Sequence, residues 1–127
     1  MNELYFSVKG STWKAEKPTA YYMDDICEFL SVDNSFEDRE NFQNNFLEPL
    51  NSLYRKKYET ITGSGLAYCE EKFEIEIPKK IFESAVHAFK YYLDQYPGGK
   101  YQETVRDFLD TAEKACQLNS SIIIIGA

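Results

Sequence analysis

The sequence predicts an α+β fold: a small, mainly antiparallel sheet with strands from both ends of the chain, packed against about four helices that include a C-terminal helical hairpin. Three observations predict it. Residues 4–8 and 73–77 alternate apolar with polar side chains, the period of a half-buried strand. Residues 79–96 and 101–118 repeat apolar side chains every three or four positions, the period of an amphipathic helix, and only Pro97-Gly98-Gly99 and Lys100 separate them. Last, 122–125 is a run of four isoleucines. That run is far shorter than the roughly 20 apolar residues of a membrane helix. It is also too β-branched for a comfortable helix, so it reads as a strand covered on both faces, inside the sheet and not at its edge.

The elements follow in order. Leu4, Phe6 and Val8 share one face of the first strand, which ends at Gly10, and a turn at Gly10-Ser11 leads to a second short strand around Trp13. After Pro18-Thr19, the spacing of Tyr22, Ile26, Phe29 and Leu30, with Met23 and Cys27 alongside, predicts a helix of about three turns. Asp33-Asn34-Ser35 offers N-cap residues, and Asp38 three positions after Ser35 makes a weak capping box, so the next helix is expected to begin there. Its stripe of Phe42, Phe46, Leu50, Leu53 and Tyr54 continues to about Lys57. Pro49 interrupts it, because proline lacks a backbone donor and crowds the preceding turn, so a kink or break is expected near Glu48.

Gly63-Ser64-Gly65 reads as a loop. Residues 58–62 could pair with strand 73–77 across it, or 66–72 could form a helical turn. Pro78 suits the first position of the next helix, whose face comprises Ile81, Ala85, Phe89, Leu93 and Tyr96. In the last helix Tyr101, Val105, Phe108, Leu109, Ala112, Ala115 and Cys116 fall together, while Glu103, Asp107 and Asp110 gather on the opposite side. The short connection makes the two helices antiparallel neighbours.

Composition narrows the function. A chain of 127 residues, 43% hydrophobic and 16% aromatic, suits one domain that folds without disulfide or metal staples. A net charge of −7 repels phosphate backbones, which argues against nucleic acid and for a basic protein partner. No secretory leader or membrane span is read, so a cytoplasmic location without membrane attachment is the expectation. Cys27, Cys69 and Cys116 lack the spacing of a disulfide framework or zinc site and are expected as buried thiols.

No motif names a reaction. His87 is the single histidine, with Glu83 the one carboxylate a turn away, and is expected to be structural. Asp24-Asp25 with Glu28, Glu37-Asp38 with Glu40, and Glu70-Glu71 with Glu74 and Glu76 read as solvated faces. Asp33-Asn34-Ser35 lacks the rest of a calcium loop, and Gly63-Ser64-Gly65 lacks the lysine of a phosphate-binding loop. No catalytic residue, metal or cofactor is expected. The tyrosine doublets 21–22 and 91–92 split their rings between helix faces, and tyrosine beside carboxylate is a common binding chemistry. The candidate partner-binding residues are therefore Glu103, Asp107 and Asp110, then Glu74 and Glu76, with Tyr91 and Tyr101 as anchors.

Residues 85–97, Ala-Val-His-Ala-Phe-Lys-Tyr-Tyr-Leu-Asp-Gln-Tyr-Pro, with Lys100-Tyr101 and the helix that follows, resemble one unit of a tetratricopeptide-type hairpin. That resemblance implies an adaptor binding a peptide or protein subunit beside Phe89, Tyr92 and Tyr101. In size, acidity, aromatic content and lack of catalytic residues, the whole chain is similar in character to the small immunity proteins of bacterial toxin systems, including contact-dependent inhibition. This second resemblance implies a non-catalytic inhibitor that neutralises a basic toxin or nuclease by covering it.

Overall fold

The computed structural model describes residues 3–60 and 73–126; the loop expected at 63–65 and the turn expected over 66–72 lie outside them, whereas 58–60, one of the candidates to pair with strand 73–77, end a helix instead. Three strands form one antiparallel sheet: β1 (Leu4–Val8), β2 (Phe73–Ile77) and β3 (Ile122–Gly126), in the order β1-β3-β2. The isoleucine run is thus the central strand, as its apolarity on both faces predicts. Phe6 and Ile75 flank Ile124, and Val8 and Ile77 flank Ile122, so these side chains share one face. Ile123 is buried on the other face and Ile125 half-buried.

Among the described residues four α-helical bodies accompany the sheet: α1 (Met23–Val32), entered through a 3-10 turn (Ala20–Tyr22), the continuous α2 (Arg39–Phe42) and α3 (Glu48–Thr60), α4 (Lys79–Gln95) and α5 (Gln102–Gln117). A π-helical turn, Gln43–Leu47, joins α2 to α3, and in it the Glu48 N–H donates to the Gln43 carbonyl five residues back. This is how the chain absorbs Pro49. The wider turn moves the carbonyls away from the proline ring, so the helix continues where a break was one of the expected outcomes. Phe46 within that turn remains wholly buried.

One aromatic cluster forms the centre. Phe108 of α5 meets Phe89 of α4 at 4.5 Å, Phe6 of β1 at 5.6 Å and Phe46 at 6.0 Å between ring centroids. Such tilted and edge-to-face contacts are the favoured aromatic geometries and add to the area that each ring buries. The helix period put each ring here: Phe89 and Phe108 lie on the facing stripes of an antiparallel hairpin.

Several local expectations are corrected. The second strand at Trp13 is reduced to a single bridge, Ser7 with Lys14, plus an Ala15 N–H donated to the Phe6 carbonyl. Asp33-Asn34-Ser35 does not cap a helix; the Asp33 carboxylate accepts the Ser35 N–H at 2.9 Å, and α2 begins at Arg39. Burial of Phe36 pulls that segment inward before a helix can start. Cys27 is buried as expected, with burial pushing its thiol up, but Cys116 is exposed because it lies beside the stripe that ends at Ala115. Cys69 lies outside the described residues.

Candidate functional site

The three acids of α5 do come together. Glu103, Asp107 and Asp110 line a groove of about 560 Å³, whose other wall is the segment from Trp13 to Lys17. That segment is tied down as a strap. The Lys17 ammonium lies 2.7 Å from Glu103, the Thr19 hydroxyl donates to Asp107 at 2.5 Å, and Thr104 donates to the Thr19 carbonyl at 3.0 Å. Burial pushes the Asp107 carboxyl up, and the charges of Asp110 and Glu103 add to the rise while the Thr19 hydrogen bond opposes it. Lys14, Lys17 and Arg106 also line the groove, against Glu16 and the three acids, so its charge is largely neutralised from within.

Thr104, Thr111 and Gln102 are buried on α5 because each has an internal partner. Thr104 meets the strap, Thr111 donates to the Asp107 carbonyl, and Gln102 donates to the Tyr96 carbonyl at 2.7 Å. A reading of apolar period alone passes over such residues.

Glu74 and Glu76 stand elsewhere, on the sheet face opposite the core, in register with Ile125 and Ile123. Glu76 is engaged: Lys9 reaches it at 2.7 Å and Ser121 at 3.1 Å, and the Lys9 bond holds its carboxyl below the usual range. Glu74 is exposed. His87 is exposed and pairs with Asp38 at 2.9 Å rather than with Glu83, which lies 3.7 Å from Lys79.

The tyrosines form a seam between α1 and the α4–α5 hairpin. Tyr91 and Tyr96 both donate to Asp33 at 2.9 Å, and Tyr91 stacks on Phe36 at 4.7 Å. Burial and then the bonded Asp33 charge push the Tyr96 hydroxyl up to about 12. Burial also raises Asp33, but the Ser35 N–H and the two tyrosine hydroxyls outweigh it and hold the carboxyl below its ordinary value. Tyr101 donates to Asp25 at 3.2 Å and packs 5.2 Å from Tyr22. Tyr91 and Tyr101 are therefore half-buried parts of the seam, with their hydroxyls engaged inside the molecule.

Along this seam the structure exposes a surface that the helical stripe concealed. Phe29 belongs to the predicted apolar face of α1, yet it is 43% exposed, and Tyr21 at 46% and Val32 at 69% are exposed as well. The buried stripe is Met23, Ile26, Cys27 and Leu30, and Phe29 projects about 100° from its centre, towards Tyr96 at 4.8 Å. The same stretch holds most of the charge. Residues 24–40 contain seven carboxylates and one arginine, a net −6 of the chain's −7. Six of those residues are exposed and Asp33 is half-buried, although burial raises the Asp24 carboxyl, which accepts a hydrogen bond from Tyr54. This segregation was readable in the sequence by taking charge in windows instead of over the whole chain.

Two of the residues expected beside an adaptor groove are covered by the protein's own side chains. Phe89 is wholly buried among Phe42, Phe46 and Phe108, and Tyr92 is covered by Phe29 and Tyr96. Among the described residues no cluster of three or more potential ligands is placed to hold a metal ion, and no helix is long and apolar enough to cross a membrane. Compared with protein-family models, curated proteins and solved structures, the chain matches none of them.

Proposed function

We propose that this protein is a non-catalytic binding protein of the immunity or inhibitor kind, which acts in the cytoplasm and neutralises a basic toxin or nuclease domain by direct contact. The observation that carries the reading is the coincidence, on α1, the turn Ala20–Tyr22 that leads into it and the segment after it, of a net −6 charge over residues 24–40 with exposed Tyr21, Phe29 and Val32. Carboxylates at the rim accelerate encounter with a basic partner and select it, while desolvated aromatic rings supply the energy that holds it. The α5 groove contributes less under this reading, because Lys17 and Thr19 already engage two of its acids.

The test is capture of a basic partner from the native cell by the wild-type protein and by a Glu28→Lys, Glu37→Lys, Glu40→Lys variant. All three glutamates are exposed. Each change adds two positive charges, so the variant brings residues 24–40 from −6 to zero without disturbing a contact described above. The proposal expects the partner to be lost by the variant and released from the wild type as ionic strength rises through about 0.1 M, where the Debye length is about 10 Å. A partner that binds both proteins equally and ignores salt would overturn it.

A further inference from the structure

The Tyr22 and Tyr101 rings lie 5.2 Å apart and tilted by 53°, so they form a shallow V at the end of the α1 surface. Tyr21 braces the V from outside, its ring 4.2 Å from Tyr22. Asp25 borders it: the Tyr101 hydroxyl donates to Oδ2, and among the described residues Oδ1 has no hydrogen-bond donor. Two π faces beside a carboxylate make a site for an organic cation, because the ring quadrupoles and the carboxylate attract the same charge.

The chain already places a cation there. The Lys100 ammonium lies 5.5 Å from the Tyr22 centroid and 5.4 Å from that of Tyr101, delivered by the Pro97-Gly98-Gly99 turn, in which Gly98 has a φ of 76°. It does not close onto either ring. Lys14 shows what a closed contact looks like in this protein, at 3.9 Å from the Tyr5 centroid. Among the described residues no carboxylate forms an ion pair with Lys100. Lys100 therefore covers the V loosely, on an exposed turn from which it can swing away.

We infer that the Tyr22–Tyr101 cleft is a subsite for an arginine side chain of the basic partner, and that Lys100 is the internal cation which this arginine displaces. The inference rests on the proposed function and assigns that surface a specific anchor point. Arginine is favoured over lysine because a planar, weakly hydrated guanidinium stacks on aromatic faces and can donate to Asp25 Oδ1 from its edge. Displacement sets the affinity by difference: the incoming guanidinium gains the rings and the carboxylate, while Lys100 gives up two long contacts.

The experiment uses the full chain and two probes, N-acetyl-arginine amide and a hexa-arginine peptide. In NMR titrations with N-acetyl-arginine amide, the ring protons of Tyr22 and Tyr101 shift more than those of the other tyrosines. Lys100→Ala tightens hexa-arginine binding by about two- to five-fold, the scale of one exposed cation–π contact. Lys100→Arg conserves charge and weakens that binding, because its guanidinium occupies the V better than the ammonium does. Lys90→Ala, which removes the same charge from exposed α4 surface, tightens binding by less than Lys100→Ala. Equal effects of Lys100→Ala and Lys90→Ala, or titration shifts that spare Tyr22 and Tyr101, overturn the subsite. If the glutamate-to-lysine variant loses the native partner while Lys100→Ala and Lys100→Arg bind it as wild type does, the subsite fails and the proposed function stands.

Discussion

Replacing Ile124 by alanine tests the sheet at its centre. Ile124 is 2% exposed and lies between Phe6 and Ile75, facing the helices. The substitution removes three carbons, worth about 0.8 kcal/mol each in transfer from water, or about 2.4 kcal/mol. It also leaves a cavity that a central strand paired on both sides cannot collapse, which brings the expected loss to about 3.5 kcal/mol. Unfolding entropy of about 2.1 cal/mol/K per residue gives about 0.27 kcal/mol/K for a chain of 127 residues, so the midpoint should fall by about 13 °C. Ile125→Ala, one position along on the opposite face and half-buried, should cost about 1 kcal/mol and about 4 °C. Calorimetry and urea titration of both variants read the difference. Equal losses at the two positions, or a loss under 1 kcal/mol at Ile124, would refute the placement of this run as the central strand.

Three further outcomes follow from the site. Thr19→Val deprives the partly buried Asp107 of its donor and should cost about 1–3 kcal/mol in urea unfolding, while Lys17→Ala, which breaks only the exposed pair with Glu103, should cost clearly less. The Asp33 carboxyl is held below its ordinary value of 3.8, so its contribution to stability is complete above that pH and is lost as pH falls through the lower folded value. Wild type and Asp33→Asn should therefore differ most at neutral pH and converge in strong acid; a gap unchanged between the two would refute the Asp33 contacts. Tyr96 is shifted upward, so its contribution is complete below pH 10.0 and is lost as pH rises towards about 12. In an absorbance titration of the folded protein, Tyr96→Phe should remove a step near that upper value and not one near 10.0.

What the sequence reveals divides by the range of the interaction. Period two at Leu4, Phe6 and Val8, period 3.6 at Phe89 and Phe108, and unbroken apolarity from Ile122 to Ile125 each report which face meets the core, and all four elements form as read. Pairing, by contrast, depends on distant partners. Trp13 looks like a strand residue but only a single bridge forms beside it, and nothing near Thr104 in the sequence announces that a strap 85 residues away supplies its partner. The π-helical turn is legible only in part: Pro49 signals a disturbance, but continuation or breakage is decided by burial of Phe42, Phe46 and Leu50 on both sides of it. For the candidate site, the helical wheel gathered Glu103, Asp107 and Asp110 correctly. It could not show that the strap neutralises them, nor that Phe29 lies outside the buried stripe of α1.

Under the proposed function the α1 surface, and not the α5 groove, meets the basic partner. This is tested most directly by measuring the affinity of the captured partner for two charge-reversed proteins, Glu28→Lys, Glu37→Lys, Glu40→Lys on one side and Glu103→Lys, Asp110→Lys on the other. The first should lose at least about a hundredfold in affinity, roughly 1 kcal/mol for each reversed residue. The second should lose less than about tenfold, because the groove is largely neutralised by its own lysines and arginine. The opposite order, with the α5 variant failing and the α1 variant binding as wild type, would move the partner's contact from α1 to the α5 groove and overturn the proposed surface.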